Sequence, residues 1–584
     1  MKRIAWILGA ATLAVVVLLM LLVALLPRDA LKTRVGEQIA AWTGRDVSLR
    51  GAPELDIFPS LTVTLKDVQV GGPAGMPDGA IISMERLRST IRVLPLIIGR
   101  VEIGSFTMVR PLIRLIRDEE GARNWAFDSG AAALQLAFAG DVPLGDFVLE
   151  DGTLVYENRQ GGVKEQLDSV NLKIDWPSVR QPLAVTGSGI WRGEEVSFST
   201  TAEAPFDFLN GEATEVNARL DSAPVVASFT GAAADPASPQ LRGALAMSTP
   251  SLRGFANWLG NSAGLGSTLG QASLSGTAVF REAVLSVENA QLALDGNNAG
   301  GALEIVLAST PEVTGTLALQ TLDLTSYFDG LATDLSDGRD WRDIGIETDW
   351  FRGLAADLRL SAGSVAIGAM RFGQTAASIS LRDGRLAIGI GEAAFSGGSL
   401  SGDLSVSDEP DRPGAATQVK LRATDLDLAA AAPAFGLPER LSGKAVIATD
   451  ISSAGGTFGS IVRGLTGTGR ITVQGGSLPL LGIAELAVAG GGDVSAKPFG
   501  LTPVTDLFAG FSFAGGTAIL EQSRAVAPGF SADAKGWIAL IDGSLGLNGT
   551  VQAKRPGAAV PPPMPFTIDG TLARPVARPL ALAN

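Results

Sequence analysis

The chain has 584 residues and carries 46 basic against 60 acidic side chains, a net charge of −14. This balance argues against a nucleic-acid ligand, which needs a basic face. The chain contains no cysteine and no histidine, which excludes disulfides, thiolate or histidine-based nucleophiles and ordinary zinc or copper centres. We therefore expect a protein that is not an enzyme and that holds no metal or other cofactor.

The first predicted element is a transmembrane helix that runs from Ile4 to Leu26 without a charged side chain. A helix of this length reaches about 34 Å, which is enough for the ~30 Å hydrocarbon core of a bilayer. A cleaved signal peptide is the alternative, but its apolar core is usually only ~7–15 residues long. We expect residues 1–26 to form a cytoplasmic tip and a membrane anchor, followed by an exported body. The anchor side chains singled out are Ile4, Trp6, Val16, Leu19 and Leu26.

Residues 27–44 are predicted to form an amphipathic helix. Leu31, Val35, Ile39 and Trp42 fall on one helical face, and Gly44 is a suitable residue to end the helix. Such a helix either lies on the membrane surface or packs on the first strands of the body. The sequence leaves both arrangements open.

From residue 45 onward the apolar pattern has a period of two. Apolar and polar side chains alternate in Leu61–Lys66, in Arg86–Val93 and in Val419–Arg422. Strict alternation is typical of β-strands with one apolar and one wet face. We predict that the apolar faces line a groove. The candidate groove-lining residues are Leu61, Val63, Leu65, Leu87, Ile91, Val93, Val419 and Leu421.

Three arginines alternate along one predicted strand, namely Arg86, Arg88 and Arg92. They follow the membrane anchor closely in sequence, and basic side chains near a membrane attract anionic headgroups. We predict that they contact lipid headgroups. The alternative is a solvated outer strand face, where such charges are common.

Turn signals recur along the body as Asp-Gly pairs, which tolerate the positive φ of tight hairpins. They are Asp151–Gly152, Asp295–Gly296, Asp383–Gly384, Asp542–Gly543 and Asp569–Gly570. Three stretches predict a strand followed by a short helical turn, at residues 241–259, 314–328 and 418–431. These signals indicate repeated antiparallel meanders with small inserted helices.

The predicted fold is therefore mostly β. After the N-terminal transmembrane helix we expect about 30 strands in a long, curled and largely antiparallel sheet that forms a groove. The predicted segments are an N-terminal part of the groove at 45–330, a C-terminal β module at 331–553, and a Pro-rich extended tail with a final strand at 554–584.

Several segments resemble the AsmA family of bacterial envelope proteins. In the N-terminal half they are Pro27–Asp29, Thr43–Arg45, Phe58–Leu61, Val93–Leu96, Gly99–Ile103 and Arg117–Trp125. In the C-terminal half they are Leu381–Leu386, the stretch that begins Phe395–Ser–Gly–Gly, and Ile568–Pro575. Their order along the chain is more specific than any single segment.

The resemblance implies a single-pass bacterial inner-membrane protein with most of its chain in the periplasm. It implies a non-enzymatic role in moving phospholipid between the inner and outer membranes and in maintaining the outer membrane. The partners it implies are phospholipids, together with outer-membrane or periplasmic proteins. The alternative is an envelope scaffold, or an assembly factor for outer-membrane proteins, with a densely packed β body.

Overall fold

A computed structural model describes most of the chain beyond residue 44. It covers residues 45–51, 53–56, 61–72, 80–91, 103–125, 143–236, 238–260, 269–308, 310–327, 341–346, 348–408, 414–435, 441–479, 501–554, 562–572 and 574–580. In these ranges we find no helix that is both long and apolar enough to cross a bilayer. The predicted anchor residues Ile4, Trp6, Val16, Leu19 and Leu26 lie outside the described residues, as does the predicted helix at 27–44.

The chain divides into two compact units, Met1–Thr249 with Thr277–Glu282 and Pro250–Gly276 with Ala283–Asn584. These units do not coincide with the predicted segments 45–330 and 331–553. The 29 strands of the described residues belong to one sheet. The prediction of a mostly β chain with about 30 strands is therefore confirmed for the described residues.

The described residues of the first unit contain twelve complete strands. They are β1 Val47–Leu49, β2 Glu54–Asp56, β3 Leu61–Gly71, β4 Ala80–Ile91, β5 Ile103–Arg117, β6 Pro143–Asn158, β7 Val163–Ser178, β8 Leu183–Trp191, β9 Glu194–Ala202, β10 Thr214–Ser222, β11 Val226–Ala234 and β12 Gln240–Thr249. Strands β5 and β6 pair in parallel, whereas the other described pairs of this unit are antiparallel.

Strand β13, Ala272–Arg281, contributes residues to both units. The strands that follow belong to the second unit. They are β14 Val284–Leu294, β15 Asn297–Val306, β16 Glu312–Asp323, β17 Ala355–Ile367, β18 Met370–Arg382, β19 Arg385–Phe395, β20 Gly398–Asp408, β21 Ala415–Asp427, β22 Ser442–Gly455, β23 Thr466–Pro479, β24 Leu501–Ala514, β25 Thr517–Ala527, β26 Phe530–Ala539, β27 Ser544–Ala553, β28 Met564–Thr571 and β29 Arg574–Pro579. Strands β16 and β17 pair in parallel. The prediction of a largely antiparallel sheet is confirmed.

Short helices lie between strands. The α-helices are α1 Pro205–Leu209, α2 Leu252–Trp258, α3 Leu428–Ala431 and α4 Phe458–Arg463, and the 3₁₀ turns are η1 Trp341–Asp343, η2 Asp349–Arg352 and η3 Ala432–Phe435. Helices α2 and α3 follow strands at two of the predicted strand-helix stretches, and a short helical turn at 325–327 follows β16 at the third. All three predictions are confirmed.

The Asp-Gly signals have two different outcomes. Asp295–Gly296 and Asp383–Gly384 form hairpin turns with positive φ at both residues, as predicted. The prediction of a turn at Asp151–Gly152 is wrong, because this pair lies inside β6 at a β-bulge where the register with β7 breaks. The Asp569–Gly570 pair also lies within a strand, β28. A bulge and a hairpin both need a residue that tolerates positive φ, so the dipeptide alone does not separate them.

The bulge in β6 belongs to a line of left-handed residues across the first unit. Asp67, Arg110 and Asp151 have φ of 51°, 46° and 52°, and the registers of β3–β6 align them through Glu85 of β4. Bulges increase the local twist and bend a strand. Three of the four neighbouring strands, β3, β5 and β6, are therefore irregular at the same level.

Each unit contains a closed hydrophobic core. In the first unit, Leu61, Val63, Leu65 and Val68 of β3 pack with Met84, Leu87, Ile91 and Phe106, all at 7% exposure or less. In the second unit, Phe566 is fully buried at 0% in a cluster that β24–β28 build, with Val551 at 1% and Ile568 at 3%. Burying one such side chain stabilises the fold by about 1.5–3 kcal/mol.

The last strand, β29, pairs with β28 alone among the described residues. Its register runs from Arg574 opposite Thr571 to Pro579 opposite Phe566. The backbone N–H of Leu580 continues this ladder and donates to the Pro565 carbonyl at 2.9 Å. Prolines occupy two of the six positions of β29, Pro575 and Pro579.

Candidate functional site

Strands β17–β22 of the second unit carry a continuous apolar face. Residues directly opposite each other in antiparallel strands point to the same side of the sheet, so the register defines rows of side chains. One row contains Leu358, Ile379, Ile388, Leu404, Val419 and Ile451. The next row contains Leu360, Ala377, Ile390, Gly402, Leu421 and Thr449. We call these two rows the open apolar face of the second unit.

All twelve residues of this face are half-buried. They contrast with the closed core of the same unit, where exposure falls to between 0 and 9%. Half-buried aliphatic side chains on one side of six neighbouring strands retain contact with solvent. Among the residues that the structure describes, this surface is therefore only partly covered.

The opposite side of the same strands is polar. The row that contains Arg359, Asp403, Lys420 and Asp450 lies on it, and Lys420 and Asp450 form an ion pair at 3.4 Å across β21 and β22. A shallow depression of about 790 Å³ lies among these charges and small residues such as Gly389. The sheet thus separates an apolar side from a charged side through its alternation.

One end of the open apolar face is bordered by α3 and η3. Helix α3 packs Ala431 into a cluster with Phe395, Leu426 and Val473. The ring centroids of Phe372 and Phe395 are 4.8 Å apart, and Phe435 of η3 meets Phe395 edge-on at 6.2 Å while 56% of Phe435 is exposed. We call this border the α3 end.

The other end is bordered by η2, and we call it the η2 end. Phe351 is 4% exposed and packs against Ala356 and Leu381, while Trp350 meets Phe351 edge-on at 4.7 Å. Arg352 extends from η2 to the Asp408 carboxylate at 3.0 Å. From Ala356 to Val365, where the α3 end begins, β17 extends over about 30 Å at ~3.4 Å per residue.

A cavity of about 640 Å³ lies at the η2 end. Its walls come from three separate stretches, which are the start of β16, the η2 turn and the β18–β19 hairpin. The lining residues are Thr310, Glu312, Phe351, Arg352, Leu354, Ala355, Arg382, Asp383 and Gly384. Arg382 and Glu312 form an ion pair at 2.8 Å within it.

The first unit has an apolar face of the same kind on β7–β12. One row contains Leu172, Gly187, Phe198, Leu220, Ala227 and Met247, and the next contains Ile174, Val185, Thr200, Ala218, Phe229 and Leu245. All of these residues are half-buried. We call these rows the open apolar face of the first unit.

The predicted groove-lining residues divide between the two environments. Val419 and Leu421 lie on the open apolar face of the second unit. Leu61, Val63, Leu65, Leu87 and Ile91 are only 0–3% exposed in the closed core of the first unit, where Val47, Leu49 and Leu55 pack against them. These five residues are interior residues, which corrects their assignment to the lining of an open groove. Val93 lies outside the described residues.

Two of the predicted headgroup arginines are described, and both have carboxylate partners. Arg86 pairs with Glu85 at 2.8 Å and Arg88 with Glu150 at 3.6 Å, while Arg92 lies outside the described residues. Hydrogen bonds from Arg86 and from Arg110 lower the pKa of Glu85. These pairs neutralise part of the positive charge on this strand face. Contact with headgroups stays a prediction.

The sequence reading missed the cavity at the η2 end and the open apolar face of the first unit. The signal for that face was present, because Val216, Ala218 and Leu220 alternate with charged and polar residues in β10. The cavity had no local signal, since its walls are separated by up to about 70 positions along the chain. In the described part of the chain, no group of three or more acidic residues is arranged to hold a metal ion.

The fold and these surfaces define a class of protein in which a long antiparallel sheet keeps one apolar side partly exposed. The model of the AsmA family matches residues 1–334, and the chain belongs to the AsmA family. Searches of the curated proteins and of the solved structures found no significant match.

Proposed function

We propose that the open apolar faces bind the acyl chains of phospholipids, and that the protein transfers phospholipid between the inner and outer membranes. In this proposal residues 1–26 anchor the chain in the inner membrane and the β body lies in the periplasm. Burial of the tails along a path is sufficient, and no covalent step is involved. The proposal rests on one observation, which is the set of twelve half-buried residues on one side of β17–β22.

The magnitude of the barrier supports a need for such a surface. A diacyl lipid that leaves a bilayer exposes roughly 30 methylenes at ~0.8 kcal/mol each, about 24 kcal/mol in total. A barrier of that height gives a rate on the order of 10⁻⁵ per second. A partly exposed apolar face lowers the barrier because the tails exchange one apolar surrounding for another.

The dimensions of the face also support the proposal. Six strands at ~4.8 Å spacing extend over about 24 Å. Each leaflet of a bilayer provides about 15 Å of hydrocarbon depth, which is half of the ~30 Å core. An acyl chain therefore fits on the face in either direction, between η2 and α3.

The second candidate function is an envelope scaffold or an assembly factor for outer-membrane proteins. It is supported by the closed cores, in which Val63 and Phe566 have no exposed surface. In this case the open faces would contact protein segments instead of acyl chains. Proteins crosslinked to the open faces in stoichiometric amounts would favour this candidate.

Two substitutions in β20 test the lipid proposal. Leu404→Glu places a charge on the open apolar face, whereas Ser405→Glu places the same charge on the opposite side of the same strand. We expect Leu404→Glu to reduce co-purified phospholipid and transfer between donor and acceptor vesicles at least tenfold, because burying an ionised carboxylate beside acyl chains costs several kcal/mol. Ser405→Glu should retain both.

Circular dichroism and the denaturation midpoint establish that both variants are folded. A folded Leu404→Glu protein with normal lipid content and transfer would contradict acyl-chain binding at this face. Loss of transfer in both variants would point to a general effect of charge on the strand and would equally count against the proposal.

A further inference from the structure

The cavity at the η2 end lies where the strands end, and its walls come from both sides of the sheet. Its apolar walls belong to the side of the open apolar face, whereas the register places the Glu312–Arg382 ion pair on the charged side. Phe351 and Leu354 form its apolar part, and Phe351 also packs on Ala356 and Leu381 at the margin of that face. We propose that this cavity binds a zwitterionic, amine-bearing phospholipid headgroup whose tails lie on the open apolar face. This inference rests on the proposed function and adds to it the class of lipid and its orientation.

The arginines supply the contacts for a phosphate. Arg382 and Arg352 are held at 2.8 and 3.0 Å by Glu312 and Asp408, yet their side chains are 56% and 55% exposed. A guanidinium has five N–H donors and matches the geometry of a phosphate, so each arginine has donors left for a second acceptor. Arg352 also lies over the β18–β19 hairpin, and its Nε is 3.4 Å from the place that a Cβ atom on Gly384 would occupy.

Asp383 supplies the contact for an ammonium group. It occupies the same hairpin turn with φ of 51°, and its side chain is exposed. Within the described residues its carboxylate makes no hydrogen bond or ion pair, whereas the other charged groups of the cavity are paired. An unpaired carboxylate next to two arginines favours a ligand that carries a cation beside its phosphate.

The charge balance distinguishes lipid classes. The cavity lining contains two cations, Arg352 and Arg382, and two anions, Glu312 and Asp383, and Asp408 is a third anion as the partner of Arg352, so these groups together carry −1. A headgroup with one net negative charge gains no net attraction from such a lining, and the chain as a whole carries −14. A zwitterionic headgroup satisfies both signs at once.

The two ends of the face differ in a way that orients the lipid. The α3 end presents the aromatic cluster of Phe372, Phe395 and the exposed Phe435, with one ion pair between Lys444 and Asp427 at 3.4 Å. The η2 end presents the mixed-charge cavity. The headgroup therefore lies at the η2 end and the tails extend toward the aromatic cluster.

The experiment loads the full-length protein from vesicles that contain equal amounts of phosphatidylethanolamine and phosphatidylglycerol, and mass spectrometry then measures the lipid retained. We expect the wild-type protein to retain about fivefold more phosphatidylethanolamine, the size that one or two exposed ionic contacts provide. Asp383→Asn should bring the ratio toward one, because it removes the contact to the ammonium group that only phosphatidylethanolamine carries. Arg382→Gln should instead lower the retained amount of both lipids, because it removes a contact to the phosphate that they share. Asparagine tolerates the positive φ of the turn, so Asp383→Asn preserves the hairpin.

Lys444→Gln, which removes the ion pair of the α3 end, is the matched control and should keep the wild-type ratio. Equal retention of both lipids by the wild-type protein, an unchanged ratio in Asp383→Asn, or an unchanged amount of retained lipid in Arg382→Gln would overturn the headgroup site while leaving acyl-chain binding intact. Absence of any retained lipid would instead contradict the proposed function itself.

Discussion

Two regions of the second unit are built from the same alternating strands and differ in what covers their apolar side. On β24–β28 the apolar side chains form a closed core, with Phe566 at 0% and Val551 at 1% exposure. On β17–β22 the equivalent rows, including Ile388 and Leu404, are half-buried. Burial of the core side chains stabilises the fold, whereas the side chains of the open face stay partly in water and contribute less to the free energy of folding. The difference separates strands that hold the molecule together from strands that offer a surface.

The largest expected effect comes from truncating one side chain in each region. Phe566→Ala should lower the free energy of unfolding by about 3–5 kcal/mol, because a large cavity forms in a packed core. Ile388→Ala should cost only about 1 kcal/mol, since the side chain already contacts solvent. Chemical denaturation of the two variants measures both values. An equally large loss for Ile388→Ala would mean that its face is covered, and the comparison would fail.

An intermediate effect is expected when phospholipid is added to the wild-type protein. A ligand at 100 times its dissociation constant stabilises the state that binds it by about 2.7 kcal/mol. We expect hydrogen exchange to slow in β17–β22, next to the bound tails, and to change little in β24–β28. Detergent without phospholipid at matched concentration is the control. Uniform slowing in both regions would argue against a lipid site confined to the open face.

The smallest effect concerns pH at the border of the open face. Asp427 caps α3 by accepting hydrogen bonds from the N–H groups of Ala429 and Ala430, and these bonds together with Lys444 lower its pKa. A lowered folded-state pKa gives stability that is present above the unfolded value of about 3.9 and is lost as pH falls through the folded value. Hydrogen exchange of α3, corrected for intrinsic rates, should therefore accelerate below about pH 4.

Two controls make this pH test specific. Helix α4 is capped by Thr457 and Ser460, which do not titrate, so its corrected exchange should stay constant over the same range. Asp427→Asn keeps a good capping residue and should remove the pH dependence of α3, whereas loss of the cap in Asp427→Ala costs about 1 kcal/mol. A pH response of α3 that persists in Asp427→Asn would assign the effect to another group.

Strand positions could be predicted from the sequence because alternation is a local property. Leu61–Lys66 lies in β3 and Val419–Arg422 lies in β21, as predicted. Exposure alternates in β21, whereas Thr64 of β3 is buried at 7% between its buried neighbours. The same pattern does not reveal what covers the apolar side. Leu61 is 1% exposed in a core, while Leu421 is half-buried on an open face. Coverage depends on segments distant in the sequence, which periodicity does not encode.

The candidate headgroup cavity was even less predictable, because it also depends on contacts between segments that are distant in the sequence. Glu312, Arg352 and Arg382 belong to three separate elements, and the parallel pairing of β16 with β17 helps to bring them together. Nothing in the local sequence distinguishes these arginines from Arg86 and Arg88, which the alternation made conspicuous. The only local signal at the cavity was the Asp383–Gly384 dipeptide, which correctly predicted the hairpin turn between β18 and β19.

The two prolines of β29 have a consequence for how copies of this chain behave toward one another. The N–H of Leu580 points to β28. Alternate residues of a strand direct their backbone groups to the same neighbour, so the even-numbered residues of β29 face β28 and residues 575, 577 and 579 face away from it. Two of these three positions are proline and carry no donor. A strand of another molecule that approached this margin would find one hydrogen-bond donor where three are needed. The margin thus discourages end-to-end polymerisation, a hazard for a protein made almost wholly of sheet.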